Sequence, residues 1–144
     1  MIRRLLLAID DSAASLAASR VADELATALD ARLRVVHVSA NHVLDAALEA
    51  AGRPEARLRR TGSANLLLTR AAERAAAAGV VVDVVLLAGP VGAAILAAAK
   101  DWRADLVIVG RSASARSGEP YIGSQTQHVL EFADQPVLVI PAPG

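Results

Sequence analysis

A polar segment followed by a predicted helix start is the part of this chain best suited to hold a phosphate. The segment, Gly110–Gly118, follows a short apolar run, and Gly123, Ser124 and Thr126 come shortly after it. The first turn of a helix offers unpaired backbone N–H groups and the positive end of the helix dipole, both of which attract anions. The hydroxyls of Ser124 and Thr126 add hydrogen-bond donors. A solvated loop and an ordinary helix cap would give the same pattern, and these residues taken alone favour that simpler interpretation.

Acidic side chains form a second group, at the end of the first apolar run. Asp10 and Asp11 precede Ser12, which the pattern predicts as the N-cap of the following helix. An acidic pair at this place also holds Mg²⁺ in phosphorelay receivers. A receiver further needs an Asp after the third strand and a Lys before the late proline, where this chain has Leu87-Ala88-Gly89 and Gln135. The receiver interpretation therefore fails, and we expect no metal site here.

Other residue types exclude several classes of enzyme and metal site. The chain has no cysteine, which excludes disulfides, thiolate metal sites and cysteine nucleophiles. None of its three histidines, His37, His42 and His128, is paired with another at i, i+4, so we expect no histidine metal site. The Gly-x-Ser-x-Gly elbow of serine hydrolases is missing, as is a Gly-x-Gly-x-x-Gly after the first apolar run. The sequence therefore predicts a binding protein rather than an enzyme.

Length and composition predict one soluble domain without a nucleic-acid or membrane role. The chain has 144 residues, of which 54% are apolar, and its 15 basic residues balance 15 acidic ones. It has one Trp, one Tyr and one Phe, too few to stack the bases of a single strand. No stretch approaches the roughly 20 apolar residues of a membrane span, and the N-terminal apolar run stops at Asp10, too soon for a secretory signal. We therefore expect a cytoplasmic protein whose residues 1–144 form a single domain.

Alternating strands and helices are predicted to position these groups. The predicted strands are Leu5–Ile9, Leu33–Val38, Val80–Leu87, Asp105–Val109 and Pro136–Ile140. The predicted helices are Ala13–Leu29, Ala64–Ala78, Gly92–Lys100 and Gly123–Ala133, with Trp102–Ala104 as a turn. Asn41–Ala51 is predicted as a short helix or ordered loop, Gly110–Ile122 as a loop, and the arginine-rich Gly52–Gly62 as a surface connection with some helix rather than an anionic-partner site. This alternation predicts an α/β fold, an open five-stranded parallel sheet with helices on both faces.

The two polar groups are predicted to meet at one edge of that sheet. In an open parallel sheet, ligands bind beyond the carboxyl ends of the strands, where the strand order reverses. Those ends carry Asp10, Ser39, Gly89 and Gly110 in the predicted elements. We therefore expect Asp10 and the segment that starts at Gly110 to share one crevice.

The spacing within the phosphate segment resembles a motif of the universal stress protein family. The family's binding loop reads Gly, two residues, Gly, nine residues, Gly, and then Ser or Thr. This chain has Gly110, two residues, Ala113, nine residues and then Gly123-Ser124. Three further segments are similar to the family's first strand, second strand end, and last helix with last strand: Leu7–Ser12, His37-Val38 and Gln125–Ile140. Agreement at four separated places is much more specific than any one motif.

The resemblance implies an adenine-nucleotide site of the Rossmann-like alpha hydrolase type, holding ATP either alone or with Mg²⁺. It implies that Ala8, Asp10 and Val38 line the adenine and ribose pocket. It implies that Val109 and Gly110 lie under the nucleotide. The phosphates would then be held by Ala113, Gly123, Ser124, Gln125 and Thr126. From the residues themselves, a helix-capping role for Asp10 is an equal alternative, and core packing is the simpler role for Val38 and Val109.

Two departures from the family motif leave the function open between two hypotheses. Ala113 replaces a glycine, and a left-handed backbone there would cost about 1–2 kcal/mol. Gln125 replaces what is often a small apolar residue, so it could crowd the phosphates. The first hypothesis is an ATP-binding regulatory or adaptor module of the stress response; a slow ATPase is a separate alternative that ranks below both hypotheses, because the sequence offers no convincing base and no metal-ligand cluster. The second is a nucleotide-free module that forms a homodimer through the last strand, Val137–Ile140, as the family resemblance implies, and docks a protein partner.

Overall fold

The computed structural model describes residues 1–39, 50–111 and 124–143, and the side chains of residues 54–61 and Ser124 lie outside that description. The strands of this part are β1 (Arg4–Ala8), β2 (Arg32–Ser39), β3 (Val82–Ala88), β4 (Leu106–Gly110) and β5 (Val137–Ile140). The helices are α1 (Ala13–Leu29), α2 (Pro54–Ala77), α3 (Val91–Trp102) and α4 (Ser124–Phe132). Most of the predicted helix or loop at Asn41–Ala51 and of the predicted loop at Gly110–Ile122, including Ala113, lies outside the described residues, as does Gly123; Gly110 itself is the last residue of β4.

The five strands form one parallel sheet in the order β3-β2-β1-β4-β5. Ala8 at the end of β1 is paired with Val36 of β2 on one side and Val109 of β4 on the other. The chain first builds outward from β1 to β3 and then returns to the other side of β1, so the order reverses between β1 and β4. The predicted α/β fold with an open parallel sheet is confirmed, and its switch point lies at the carboxyl ends of β1 and β4.

Helices cover both faces of the sheet, because successive strand residues point to opposite sides. Leu5 and Leu7 of β1 pack into the core beneath α1 and α2, whereas Leu6 packs into the core beneath α3 and α4. All three leucines are at most 1% exposed. This burial on both faces explains why the central strands read as continuous apolar runs. The helices bury mainly small side chains against the sheet: Ala18, Ala22 and Ala26 from α1, Ala71 and Ala75 from α2, and Ala99 from α3.

Residues 54–77 form one long helix, whereas the sequence predicted a surface connection with some helix at Gly52–Gly62 and a separate helix at Ala64–Ala78. Pro54 lies in the first turn of α2, where its fixed φ suits a helix and its missing N–H costs nothing. Gly62 lies inside the helix, and a Cβ atom there would meet nothing within 4 Å. An exposed glycine costs a helix about 1 kcal/mol relative to alanine, which neighbouring helix formers can offset.

Trp102 stacks with two arginines at the end of the sheet opposite the strand carboxyl ends. It is the last residue of α3 rather than part of the predicted turn. The guanidinium carbons of Arg34 and Arg4 lie 4.8 and 5.8 Å from the centroid of its ring. Arg34 also donates two hydrogen bonds, of 2.8 and 2.9 Å, to the carboxylate of Asp83 on β3. Trp102 is the single tryptophan of the chain, so its fluorescence reports folding at a place remote from the strand carboxyl ends.

Within the described ranges, the structure contains no helix long and apolar enough to cross a membrane.

Candidate functional site

A cavity of about 300 Å³ opens at the carboxyl ends of β1, β2 and β4. The start of α1 and parts of α3 and α4 complete its wall. All predicted site residues whose side chains the structure describes line it: Ala8, Asp10, Val38, Val109, Gly110, Gln125 and Thr126. Residues 113 and 123 and the side chain of Ser124 lie outside the described part. The structure thus brings the described candidates to one place, while their roles toward a ligand stay predictions.

The turn between β1 and α1 is held by three short-range hydrogen bonds. The N–H of Ser12 donates to Oδ1 of Asp10 at 2.8 Å, and the N–H of Ser15 donates to Oγ of Ser12 at 3.1 Å. The N–H of Asp10 donates to Oγ of Ser15 at 2.8 Å, which closes the ring of contacts. Ser12 is therefore the N-cap of α1, as predicted. Oδ1 of Asp10 organises the turn, which leaves Oδ2 of this exposed carboxylate outside these three bonds.

Gly110 has a packing role that the sequence did not reveal. A Cβ atom at this position would lie 2.7 Å from the carbonyl carbon of Ala14, 2.9 Å from its oxygen and 2.9 Å from the backbone nitrogen of Ser15. These are backbone atoms of the first turn of α1, so they cannot swing aside as a flexible side chain could. Glycine therefore allows the end of β4 to approach the start of α1, where both contribute to the cavity wall.

Gln125 ties the start of α4 to the start of α3. Its Oε1 accepts a hydrogen bond of 2.9 Å from the N–H of Gly92. That N–H belongs to the first turn of α3, whose cap residue Pro90 provides no side-chain hydrogen bond. Gln125 thus satisfies one of the donors that a helix start leaves unpaired. Gln125, which the sequence suggested could crowd a phosphate, also lines the cavity, but its Oε1 already accepts the hydrogen bond from Gly92.

Thr126 places a buried hydroxyl beside the end of β4. The residue is 7% exposed, and its Oγ1 lies 3.4 Å from the carbonyl oxygen of Gly110. This distance is long for a bond from a hydroxyl, whose usual length is about 2.7–2.8 Å. The hydroxyl is therefore weakly engaged at the wall of the cavity, where a ligand could offer it a better partner.

His37 lines the cavity from β2 and was not among the predicted site residues. Its Nδ1 lies 2.7 Å from the carbonyl oxygen of Ile9, the residue that follows β1. The sequence showed His37 as part of a strand end, but the alternation of an isolated strand cannot tell which neighbouring carbonyl a side chain will reach. His128, by contrast, is not among the described lining residues: the centroid of its ring lies 4.8 Å from that of Phe132, and a Cβ atom on Gly92 would come within 2.8 Å of its Cδ2.

Several other lining residues also went unpredicted. They are Ile9, Ser12, Ser15, Val91, Ile95 and Val129. Val91 and Ile95 are one turn apart at the start of α3, and Ser12 and Ser15 are similarly spaced at the start of α1. Each pair follows a strand end, and this i, i+3 or i, i+4 spacing is the signal that could have identified them.

The described wall of the cavity is mostly apolar and carries little positive charge. Among the described residues that line the cavity, Asp10 is acidic and none is a lysine or an arginine. An anion would therefore be met there by helix N-termini and hydroxyls rather than by side-chain cations. Among the described residues, no three acidic or histidine side chains are grouped so as to hold a metal ion.

Comparison with known proteins places this architecture in a family. The family model for the universal stress protein family matches residues 1–141. A universal stress protein of Thermus aquaticus, named for its position in the 3′ region of a QAH/OAS sulfhydrylase gene, is 36% identical; the match covers 97% of this chain and 99% of that protein. The chain therefore belongs to the universal stress protein family, as its motifs indicated.

Solved structures show the same fold at lower sequence identity. The universal stress protein UspA from Lactobacillus plantarum matches with a TM-score of 0.81 at 23% identity, covering 96% of this chain and 97% of that one. A universal stress protein in complex with cAMP matches with a TM-score of 0.71 at 23% identity, covering 99% and 98%. A universal stress protein from Archaeoglobus fulgidus in complex with dAMP matches with a TM-score of 0.66 at 20% identity, covering 97% and 98%.

Proposed function

We propose that this member of the universal stress protein family binds ATP in the cavity at the strand carboxyl ends and acts as a regulatory or adaptor module of the cytoplasmic stress response. The observation that carries the proposal is the cavity itself. It lies at the switch point of the sheet, where open α/β folds hold their ligands. The candidate residues identified from sequence converge on it from β1, β2, β4 and α4.

The lining of the cavity suits the parts of a nucleotide. Val38, Ile95 and Val109 provide an apolar wall that is at most 7% exposed and can cover the face of a base. The exposed carboxylate of Asp10 can accept hydrogen bonds from ribose hydroxyls through its Oδ2. Thr126 and the N-terminus of α4 can donate to phosphate oxygens. Two family members of the same fold bind cAMP and dAMP, which share the adenine base with ATP, and this supports the same base here.

The volume of the cavity favours a nucleotide whose phosphates extend beyond it. Cavities that hold small ligands are typically about 300–1,000 Å³, and this one is at the lower end of that range. We therefore expect the base and ribose to occupy the described cavity and the phosphates to extend along the start of α4. Ala113, Gly123 and Ser124 would then hold the phosphates, with Mg²⁺ as a companion ion.

Calorimetric titration with ATP and Mg²⁺ tests the proposal directly. Ala8→Met would fill the cavity from the end of β1, whereas Ala88→Met places the same side chain at the exposed end of β3, outside the cavity lining. We expect wild type and Ala88→Met to bind ATP and Ala8→Met to lose binding. Trp102 fluorescence and melting temperature check that each variant folds.

A companion variant measures the cost of the family departure in the phosphate segment. Ala113→Gly restores the family's glycine, and we expect it to tighten ATP binding by about tenfold, since a left-handed alanine costs about 1–2 kcal/mol. ATP should also raise the melting temperature of the wild type, because a ligand of the native state stabilises it. If neither wild type nor Ala113→Gly binds ATP, the proposal fails.

A second candidate function is a nucleotide-free interaction module. The observation that favours it is β5, an edge strand in the sheet whose four residues, Val137–Ile140, are apolar and half-buried. Such an edge presents backbone groups to which another strand can pair, so a homodimer through β5 is the natural assembly. Light scattering at micromolar concentration tests it: a monomer would exclude the dimer. Binding of ATP by Ala113→Gly but not by wild type would favour this candidate over the first.

A further inference from the structure

The strand β3 forms the edge of the sheet opposite to β5, and among the described residues β2 is the strand that pairs with it. It spans seven residues, Val82–Ala88, whereas β5 spans four and is followed directly by Pro141. The seven residues include no lysine or proline, which commonly block pairing at a sheet edge. Their one charged side chain, Asp83, is held by two hydrogen bonds from Arg34 of the same chain. β3 therefore presents a long edge without the usual protection against a further strand.

Two apolar side chains of β3 stay exposed on the face of the sheet that α2 covers. Val82 packs into the core beneath α1 and α2, so the alternation of the strand directs Val84 and Leu86 to the same face. Val84 is 38% exposed and Leu86 is 36% exposed. On that face of the central strand β1, by contrast, Leu5 and Leu7 are fully covered. α2 therefore leaves the outer part of β3 open, and a further apolar element is needed to cover it.

The side of α2 that faces this edge carries short side chains. The helix packs on β2 and β3, and the residues that it buries against the sheet are Ala64, Leu68, Ala71 and Ala75. Arg74 contacts Asp23 of α1, which packs mostly on β1, β4 and β5, so Arg74 marks the side of α2 that faces the middle of the sheet. With 3.6 residues per turn, the opposite side, toward the β3 edge, holds Asn65, Thr69, Ala72 and Ala76. None of these side chains is long, so another helix can approach this side of α2 closely.

The spacing of the elements suits a second copy of this chain as the partner of β3. Two copies related by a two-fold axis perpendicular to the sheet would pair their β3 strands antiparallel and keep both α2 helices on one face. Each α2 packs on β2 and β3, so its axis lies about half a strand spacing inside the edge. Since paired strands lie about 4.8 Å apart, the two α2 axes would be about 10 Å apart, within the 8–10 Å at which helices pack. A strand from another protein would pair with β3 but would bring no helix to the open side of α2.

We infer that β3 is a self-association edge, at which a second copy of this chain pairs antiparallel and joins the two sheets into one. In a pairing centred on Val85, Val84 of each copy lies opposite Leu86 of the other, so the exposed apolar side chains cover one another. Asp83 of each copy lies opposite Leu87 of the other, so no like charges meet. The interface goes beyond the proposed function, because it uses neither the cavity nor β5.

A spin-label distance identifies which edge pairs. The chain has no cysteine, so Ala88→Cys creates a single labelling site, at an exposed residue outside the described cavity lining. In a β3 pairing centred on Val85, the two copies of residue 88 lie about 20 Å apart along the antiparallel strands. In a dimer through β5, nine strand spacings would separate the two β3 strands, or about 43 Å. We expect double electron–electron resonance on the labelled full-length chain to give a distance below about 30 Å, which includes the length of the label arms.

A matched pair of lysine variants tests the same edge without a label. Leu86→Lys places a charge within the β3 pairing, whereas Leu66→Lys makes the same change at a 49% exposed leucine on the outer side of α2. Sedimentation equilibrium at micromolar concentration measures association, and melting temperatures confirm that each variant is folded. We expect wild type and Leu66→Lys to dimerise alike and Leu86→Lys to associate at least about tenfold more weakly. The inference is wrong if wild type is a monomer, if Leu86→Lys associates as wild type does, or if every label distance exceeds about 40 Å.

Discussion

Replacing Gly110 with alanine should destabilise the whole domain, because its added methyl group would meet backbone rather than side chains. The new Cβ would lie 2.7 Å from the carbonyl carbon of Ala14 and 2.9 Å from both its oxygen and the nitrogen of Ser15. Contacts below 3.0 Å force something to shift, and here the end of β4 must move away from the first turn of α1. Overpacking of this kind costs about 1–3 kcal/mol, and the three simultaneous backbone contacts place Gly110→Ala in the upper half of that range.

The magnitude converts to a melting shift that calorimetry or circular dichroism can measure. For a chain of this length, each kcal/mol shifts the melting temperature by about 3–4 °C, so a cost of about 2–3 kcal/mol should lower it by roughly 6–12 °C. Gly62→Ala is the matched control: its Cβ would meet nothing within 4 Å in α2, so the same substitution should stabilise the protein by about 0.5–1 kcal/mol. Ala14→Gly should not rescue Gly110→Ala, because the contacts involve the backbone of Ala14. A Gly110→Ala protein that melts within about 1 °C of wild type would refute the reasoning.

Three further variants test contacts described by the structure. Gln125→Leu should lower stability by about 1 kcal/mol, since it leaves the N–H of Gly92 unpaired, and chemical denaturation measures the loss. Asp105 accepts a hydrogen bond from the N–H of Arg3, which lowers the pKa of its carboxyl below 3.8. The ionised Asp105 therefore stabilises the folded state above pH 3.8. The stability of wild type relative to Asp105→Asn should fall as the pH drops through the lowered pKa. Burial raises the pKa of Asp23, so its effect on stability changes with pH in the opposite direction. Relative to Asp23→Asn, wild type should gain stability as the pH falls through the raised pKa toward 3.8.

The layout of the fold was predictable because its central strands are buried on both faces. Continuous apolar runs such as Leu5–Ile9 left few alternatives to a covered parallel sheet, and the strand ends followed from the polar residues that interrupt them. The start of α2 was missed because Gly62 and the charged residues before it are typical of a surface connection. The helix forms there because Pro54 provides a suitable start, and a single exposed glycine is a small cost within 24 residues.

The candidate site was only partly predictable from the sequence. The part that was not predicted depends on contacts between residues of different helices and strands. Residues directly after strands, such as Asp10 and Gly110, could be assigned to one edge from the topology alone. The hydrogen bond from His37 to Ile9 and that from Gly92 to Gln125 join residues 28 and 33 positions apart, and no local pattern reveals them. Gly110 was expected to lie under a ligand, but its tight approach to α1 depends on packing that only the assembled domain defines.

The helix α4 joins the cavity at the strand carboxyl ends to β5, an edge strand of the sheet. Gln125 and Thr126 in its first turn line the cavity, the helix ends at Phe132, and the four residues 133–136 then lead directly into β5. A displacement of the start of this helix would therefore also move β5, the strand with which a second protein could pair. Thermodynamic linkage would make such a connection reciprocal. If a ligand in the cavity changed the affinity of β5 for a partner by some factor, the bound partner would change the affinity of the cavity for the ligand by the same factor.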